Sequence, residues 1–566
     1  MKSRRSQRPS HSDAIVPITG DASPMMEEGP TWSNSIYRRV KLLDRVAQST
    51  GLIQLTLTEN QEISKALKLV IMAFATQWSQ GHRRREKMFS TSLDTPDPAQ
   101  SEDFEDEFEQ CFQHSLWEQA KKALEDVASL ESYRVVYAEL IFGLIQRPWI
   151  VKDYSRTSVP GPSVNKGCSD MEDSLAQITE IISQDGPPTY TERASRKMQA
   201  LKYRFEASET GLFRSNYAYS SQQVESAISN MAPENRGTIG QLYWLAVMFD
   251  TVSSSMNGRP VALADEDCQH DAAIRPSATI DQPTDYYWNL QLFAQDNPTN
   301  PSTLSWPCPY DSCVKAVTRS AAVKVLLFRY VSYLQNALRK QARGHIIEDI
   351  IQKATQIYRY WNITHGAFFR SLIKNYDSVP VRIKSWFPCI HIPWHLGALM
   401  LADLIDFVDQ NGVGIEDASL ERLRVSLAVR IRKSSAIELS DLARITTPQE
   451  VGNIPTEQLP GYHFAVNEGS ILTEPWTVLL IRAFTKASIF HLSVAEDLRQ
   501  QEWAILGRES DEYKESLRRC DTCVKALWFL GRKSEMARSL SKILCQVLRS
   551  QELKHNSEQA FSNNSI

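Results

Sequence analysis

Apolar residues recur every three or four positions along most of this chain, and this spacing constrains the fold more than any other feature. One stretch shows it well, with an apolar stripe formed by Leu242, Leu245, Phe249, Val252 and Met256. The same spacing recurs in AAVKVLLFRYVSYLQNAL, HLGALMLADLIDFV and EPWTVLLIRAFTKASIFHL. The apolar–polar alternation of half-buried strands is almost absent. The sequence therefore predicts an all-α fold of about fifteen to twenty helices.

Changes in composition divide the chain into segments. Residues 1–30 are rich in Ser, Pro and charge, which predicts a disordered basic tail. Residues 257–313 are rich in Pro, Asn, Asp and Ser and are too many for an ordinary connection between helices, which predicts an insertion loop. The expected order is N-terminal helices over 31–85, an acidic linker over 86–114, helical parts over 115–256 and 314–545 on either side of a proline-rich loop at 257–313, and a disordered tail over 546–566.

Charge and cysteine usage narrow the classes of protein that the chain can belong to. With 63 basic and 67 acidic residues, the chain is nearly neutral and has no overall basic excess of the kind that nucleic-acid binding favours. The basic N-terminus is not followed by an apolar run, so no secretory signal is expected. No run of about 18 apolar residues occurs, so no membrane span or membrane partner is expected. The nine scattered cysteines then predict reduced thiols in the cytosol or nucleus.

The stretch WLAVMFDTVSSSMNGRPVALADED joins a helix to an acidic cluster. Asn257 and Gly258 tolerate a left-handed backbone and predict the helix end, and Pro260 prevents continuation. Arg259 falls where a cation stabilises the unpaired carbonyls of a helix end. Acidic side chains within its expected reach are Asp265, Glu266 and Asp267. Residue chemistry alone indicates a capped helix end with a surface ion pair, and no nucleophile lies beside a base.

This junction resembles the middle homology region of fungal zinc-cluster transcription factors. A tryptophan-bearing helix, Gly-Arg-Pro, small apolar residues and an acidic cluster follow one another in the same order. Further co-linear blocks resemble the alcohol-utilisation (AlcR-type) regulators of filamentous fungi, from about Trp32 to about Ala537. These blocks are TWSNSIYRRVKLLDRV, ALKLVIMAFATQWSQ, SYRVVYAELIFGL, IKSWFPCIHIPWHLGALMLADLID, EPWTVLLIRAFTKA and CVKALWFLGRKSEMA.

The resemblance implies a large helical regulatory domain of the middle-homology type in a nuclear activator of genes for ethanol and aldehyde catabolism. It also implies an N-terminal zinc cluster that reads DNA, and this chain departs from the family there. Six cysteines in two Cys-x2-Cys-x6-Cys halves are needed to surround two zinc ions. The first cysteine of this chain is Cys111, and no six-cysteine block occurs. We therefore expect this chain to lack the zinc cofactor of the family and to make no direct contact with DNA. Two explanations for the missing cluster stay open: the gene model starts too late, or the protein is a natural regulator without a DNA-binding module.

A basic cluster, HRRREK, follows the second predicted helix. Its Arg83, Arg84, Arg85 and Lys87 are candidates for a nuclear localisation signal. The alternative is a cationic helix end that complements the helix dipole.

An acidic stretch, EDFEDEFE, surrounds Phe104 and Phe108. Such a pattern predicts an activation segment, because the charges keep the aromatic side chains solvated until a partner groove takes them. A solvated acidic linker or the edge of an amphipathic helix is the alternative.

The cysteine and histidine pairs do not predict a metal site. Cys520 and Cys523 form the only Cys-x2-Cys of the chain, and they lie within a helical apolar stripe without two further ligands. His391 and His395 have the i, i+4 spacing of a zinc-binding helix, but the catalytic Glu of His-Glu-x-x-His is missing. Pro393 is expected to separate the two imidazoles by starting a new helix.

A regulatory protein is the function that the sequence favours. Its helical body is expected to contact the transcription machinery or a DNA-bound regulator. A groove between helices is expected to take a small carbonyl or alcohol-derived effector, near Trp244, Phe249, Arg259 and Trp394. An interaction scaffold without a ligand is the alternative. An all-α enzyme is less favoured, since phosphate loops and a nucleophile elbow are absent from the sequence.

Overall fold

The computed structural model describes residues 31–81, 102–148, 169–209, 233–268, 288, 290, 304–448, 470–505 and 511–563. Within these ranges the regular structure is helical, and no residue is assigned to a strand. The prediction of an all-α fold is therefore confirmed for this part of the chain.

The α-helices are numbered here in chain order over the described residues. The N-terminal part contains α1 (Thr31–Ser49), α2 (Leu57–Ala75), α3 (Glu102–Asp126), α4 (Tyr133–Phe142), α5 (Ser169–Ser183), α6 (Thr189–Glu209) and α7 (Pro233–Met256). The C-terminal part contains α8 (Tyr310–Arg339), α9 (His345–Trp361), α10 (Ala367–Lys374), α11 (Val381–Trp386), α12 (Pro388–Gln410), α13 (Glu416–Arg424), α14 (Leu427–Thr446), α15 (Thr477–Ile505), α16 (Asp511–Leu530) and α17 (Glu535–Asn563).

Helix α8 occupies the centre of the main hydrophobic core. Every residue from Ala322 to Leu334 is buried, so this helix is covered on all sides by its neighbours. It packs against α7, α9 and α12. Helices α14, α15 and α16 pack against one another, and α12 contacts α14 and α15. The core therefore runs without interruption from α7 to α16 through α8 and α12.

A second, smaller core lies between α2, α3 and α4. Leu67, Val70 and Leu124 are fully buried in it. Helix α4 joins the two cores, because Val135 faces the smaller one and Val136 faces the larger one. The N-terminal helices are thus attached to the main body through α4.

Several expected boundaries have to be corrected. The acidic linker was expected to extend to residue 114, but α3 already begins at Glu102. The proline-rich loop ends earlier than residue 313, since α8 begins at Tyr310. The tail over 546–566 was expected to be disordered, yet the backbone of α17 is helical to Asn563. Residues 1–30, expected to be a disordered tail, lie outside the described ranges.

Two helical stretches are long and apolar enough to cross a membrane, namely Val381–Gln410 and Thr477–Gln500. Core helices of soluble proteins pass the same test of length and composition. In these two stretches 78% and 67% of the apolar window is buried inside the protein, as in a core helix.

Candidate functional site

The Gly-Arg-Pro junction begins with a well-formed end of α7. The N–H of Gly258 donates to the carbonyl of Ser255 at 3.3 Å, and the N–H of Arg259 donates to the carbonyl of Ser254 at 2.8 Å. This is the Schellman pattern, which requires a left-handed residue at the turn. Gly258 supplies it with φ +58°. The predicted helix end at Asn257 and Gly258 is therefore confirmed.

Asp250 holds the segment that follows the junction against α7. Its carboxylate accepts hydrogen bonds from the backbone N–H groups of Ala262 at 2.9 Å and Leu263 at 3.0 Å. The hydroxyl of Ser254 donates to the same carboxylate at 3.3 Å. Burial raises the pKa of Asp250, and the backbone hydrogen bonds oppose this rise. The chain therefore folds back along the helix because one buried side chain binds it.

Arg329 of α8 completes this arrangement, which we call the arginine clasp (Asp250, Leu263, Asp265, Arg329 and Tyr333). The guanidinium is fully buried and donates to Asp265 Oδ1 at 2.8 Å and to the carbonyl of Leu263 at 2.7 Å. Tyr333 donates its hydroxyl hydrogen to Asp265 Oδ2 at 2.6 Å. The acidic cluster after Gly-Arg-Pro thus neutralises a buried arginine from another helix.

Arg259 was expected to reach the acidic residues that follow it, and this expectation was wrong. Its guanidinium instead forms a two-pronged ion pair with Glu192 of α6, with N–O distances of 2.7 and 3.2 Å. Asp265 is bound by Arg329. The side chain of Arg259 is 43% exposed, so this pair is a surface contact.

Of the four residues expected near an effector groove, three lie on two different helices, and Arg259 lies just beyond the end of α7. Trp244 and Phe249 are half-buried on α7, and the ring of Phe249 meets Trp476 edge-on at 5.2 Å. Trp394 is fully buried on α12, where its ring stacks on Trp361 at 4.0 Å. Helix α8 packs against both α7 and α12. The expected groove remains a prediction.

Of the candidate nuclear localisation signal and the candidate activation segment, only the second lies within the described residues. Arg83, Arg84, Arg85 and Lys87 lie outside the described residues. Phe104 and Phe108 lie in the first turns of α3, so the acidic stretch around them has a helical backbone. Their proposed role in activation remains a prediction.

A pair of histidines on α12 and a glutamate on α14 form a buried group that sequence patterns did not reveal. Pro393 was expected to break the helix between His391 and His395, and this was wrong. Helix α12 begins at Pro388 and continues through Pro393 to Gln410. Proline within a helix removes one backbone hydrogen bond but does not always end the helix. Both imidazoles therefore lie on one helical face.

The three side chains bring their ligand atoms together, and we call this group the histidine–glutamate cluster. His391 Nε2 lies 2.9 Å from His395 Nε2. Glu438 Oε2 lies 3.4 Å from the first nitrogen and 3.6 Å from the second. His391 is fully buried, His395 is 3% exposed and Glu438 is 8% exposed. Among the described residues, these are the His, Cys, Asp and Glu side chains whose ligand atoms could hold a metal ion.

Aromatic rings and one arginine surround the histidine–glutamate cluster. The ring centre of His391 lies 4.7 Å from Phe369 and 6.2 Å from Trp361. Arg370 donates to the other oxygen of Glu438, Oε1, at 3.0 Å and is half exposed. Arg370 and Glu438 also line a surface pocket between α10 and α14. The cluster thus has an apolar interior wall and a polar side toward solvent.

Charge in the histidine–glutamate cluster is unevenly distributed. Burial, followed by the charge of His395, lowers the pKa of His391 well below its usual range. Burial raises the pKa of Glu438, but its close contact with His395, the charge of His391 and the hydrogen bond from Arg370 outweigh burial and lower this pKa to about 2. At neutral pH the cluster therefore holds an ionised carboxylate beside a neutral His391.

A third buried polar group lies between α8, α12 and the segment before α15. The ammonium of Lys533 donates to the backbone carbonyl of Glu474 and lies 4.5 Å from the ring centre of Trp78. Burial lowers the pKa of Lys533 to about 7, although the charge of Glu474 opposes this. Burial also lowers the pKa of Lys324 and raises that of the Cys389 thiol.

Cys520 and Cys523 are fully buried in the core between helices, as their apolar stripe predicted. Burial raises the pKa of both thiols. Among the described residues, they are not part of a group of three or more converging ligand atoms that could hold a metal ion.

Sequence reasoning missed Glu438, Arg329 and Asp250, each a charged residue on an apolar helix face. A signal was present for Glu438. It falls within a stripe of α14 at helical spacing whose members are all buried: Ile431, Ser435, Glu438, Leu442 and Thr446. A charged residue in such a stripe requires a partner.

Comparisons of the chain with models of protein families, with curated proteins and with solved structures found no match. The resemblance to fungal regulators is carried by the sequence blocks alone.

Proposed function

We propose that this chain is the helical regulatory body of a transcription regulator of the fungal middle-homology type. It acts in the nucleus on carbon-source control, and on ethanol catabolism in particular. It contacts the transcription machinery or a DNA-bound regulator, which supplies the recognition of DNA. A small carbonyl or alcohol-derived compound is the effector.

The observation that carries this proposal is the arginine clasp. The resemblance rests first on Gly-Arg-Pro followed by small apolar residues and an acidic cluster. Asp250 binds the small apolar residues through their backbone, and Asp265 of the acidic cluster neutralises Arg329. Each part of this stretch therefore has a structural role that explains why a helical body would contain it.

The remaining sequence blocks support the proposal through their place in the core. Five of these blocks contribute buried side chains to one continuous apolar cluster. One such side chain from each block, in chain order, is Leu43, Tyr133, Trp394, Phe484 and Leu527. Packed elements of this kind can carry coupling between distant parts of a regulatory body.

A tethering experiment tests this function. The full chain is joined to a DNA-binding domain of known operator, and a reporter is measured in fungal cells on glucose and on ethanol. We expect activation that increases on ethanol. A nuclear fusion protein of normal abundance that leaves the reporter unchanged on both carbon sources would contradict regulation.

Effector binding has a separate test. Purified protein is titrated with acetaldehyde, and tryptophan fluorescence and melting temperature are followed. The stacked Trp361 and Trp394 pair makes fluorescence sensitive to changes near α12. A saturable change is expected. If neither signal changes, the effector is removed from the proposal, while the regulatory role still depends on the reporter.

A further inference from the structure

We propose that His391, His395 and Glu438 form a binding site for a divalent transition-metal ion, with Zn²⁺ as the ion that best suits its donors. The ion would join α12 to α14. This proposal rests on side-chain geometry and does not depend on the proposed role in transcription.

Two of the three separations between the ligand atoms are close to those around a tetrahedral zinc ion, and the separation between the two nitrogens is shorter. Bonds of about 2.0–2.2 Å to imidazole nitrogen and carboxylate oxygen place neighbouring donors about 3.3–3.5 Å apart. The two distances from Glu438 Oε2 to the histidine nitrogens are 3.4 and 3.6 Å, and the distance between the nitrogens is 2.9 Å. A point equidistant from the three atoms lies about 1.9 Å from each, so an ion at normal bond length sits just outside their plane.

Hydrogen bonding among the three side chains does not account for this arrangement. The 2.9 Å contact is a good hydrogen bond between the two imidazoles. Glu438 Oε2, however, is buried and has no hydrogen-bond partner in the described residues. A buried carboxylate oxygen that lies 3.4 and 3.6 Å from two nitrogens, beyond the usual hydrogen-bond distance, is costly unless a further group binds it. A cation between the three atoms satisfies it.

The donor set also favours zinc over harder ions. Two imidazoles and one carboxylate suit Zn²⁺ and its neighbours in the first transition row, whereas Mg²⁺ and Ca²⁺ prefer oxygen ligands throughout. Three protein ligands leave one tetrahedral position for water or a small ligand. The half-exposed Arg370 binds the other oxygen of Glu438 at the rim of the surface pocket, so the carboxylate is the side of the cluster nearest to solvent.

The surroundings of the site set an upper limit on its affinity. Metal-bound histidines usually donate their second ring N–H to a neighbouring acceptor. The Nδ1 atoms of His391 and His395 have no partner in the described part of the protein. On the carboxylate side Arg370 supplies the supporting hydrogen bond. We therefore expect reversible binding, weaker than in a closed four-ligand zinc site.

Metal titration of the full-length protein tests the proposal. The protein is stripped with a chelator, which is then removed, and titrated with Zn²⁺ against a colorimetric zinc indicator. We expect one ion per chain at this site and a higher melting temperature with Zn²⁺. Glu438→Gln and His395→Gln should each weaken binding by about 100-fold or more, since loss of a direct ligand exceeds the 10–100-fold effect of a supporting residue.

His491→Asn is the matched control. His491 is also buried, and its Nε2 lies 3.2 Å from the carbonyl of Ala436, on the same helix as Glu438. This variant should bind Zn²⁺ as the wild type does. Equal affinity in the wild type and both ligand variants would overturn the proposal, as would loss of binding in His491→Asn alone.

Substitution with Co²⁺ gives a readout that needs no variant. Tetrahedral Co²⁺ with nitrogen and oxygen ligands has a visible absorption band that the hydrated ion lacks. We expect this band on addition of one equivalent of Co²⁺ and its loss on addition of Zn²⁺. A spectrum that stays that of the hydrated ion, or a sulfur-to-cobalt charge-transfer band that indicates binding at cysteines, would contradict the assignment.

Discussion

The arginine clasp and the histidine–glutamate cluster are both ionic groups buried in the main core, yet they differ in how completely their hydrogen bonds are made. In the clasp, Asp265 accepts from Arg329 and Tyr333, and Arg329 also donates to the carbonyl of Leu263. In the cluster, Glu438 Oε2 and the Nδ1 atom of each histidine have no hydrogen-bond partner among the described residues.

This difference separates a structural role from a binding role. Native proteins pair nearly all of their buried polar groups, so an unpaired one needs an explanation. The clasp needs no further component, because its charges and hydrogen bonds are complete. The histidine–glutamate cluster lacks a component that satisfies Glu438 Oε2, and a bound ion supplies that component.

Replacing Arg329 with methionine should produce the largest loss of stability. Methionine fills part of the volume but leaves the carboxylate of Asp265 uncompensated, and breaking a buried ion pair on one side typically costs about 3–5 kcal/mol. Urea unfolding followed by circular dichroism measures the change in the free energy of unfolding. Arg424→Ala is the control, since Arg424 pairs with Glu421 on an exposed surface. Equal small losses in both variants would show that the clasp is not structural.

Replacing Asp250 with alanine should produce an intermediate loss. The backbone N–H groups of Ala262 and Leu263 lose their acceptor; only the second is buried, and one unpaired buried donor costs about 1–3 kcal/mol, while the partly exposed first can turn to water. Asp250→Asn keeps one carbonyl oxygen and should lose less. The same urea experiment compares them. An asparagine variant less stable than the alanine variant would contradict this account.

Sequence patterns correctly predicted the all-α fold and the end of α7, because both depend on residues that are close along the chain. Leu242 and Val252 share a helix face by spacing alone, and Gly258 sets its own backbone. The partners of Arg329 and of His391 come from other helices, and helical spacing carries no information about such contacts. Pro393 misled the interpretation of α12 because local preference was overruled by packing in the core.

Lys533 is a third buried charged group, and it should differ from the other two by making the stability of the protein depend on pH. Its folded-state pKa of about 7 lies below the usual 10.5, so between these values the unfolded chain holds a proton that the folded chain lacks. Stability therefore rises with pH in this window, with a slope of up to about 1.4 kcal/mol per pH unit. The facing groups are Glu474, Cys389 and Lys324.

The measurement compares the wild type with Lys533→Met by urea unfolding at pH 7, 8 and 9. We expect a rise in stability for the wild type that is reduced in the variant. The difference between the two proteins removes the contribution of other groups that titrate at high pH. Arg329 stays charged throughout and adds no slope. Parallel pH profiles would show that Lys533 keeps its proton in the folded state.

Replacing Arg259 with alanine should produce the smallest effect on stability, although Arg259 belongs to the Gly-Arg-Pro junction itself. Its ion pair with Glu192 is 43% and 20% exposed at the two side chains, and exposed pairs contribute about 0–1 kcal/mol. Urea unfolding should therefore place Arg259→Ala close to the wild type and far from Arg329→Met. The tethered reporter then gives the decisive comparison. A variant of normal stability that loses activation would assign Arg259 to partner or effector contact, whereas a large loss of stability would make it part of the clasp.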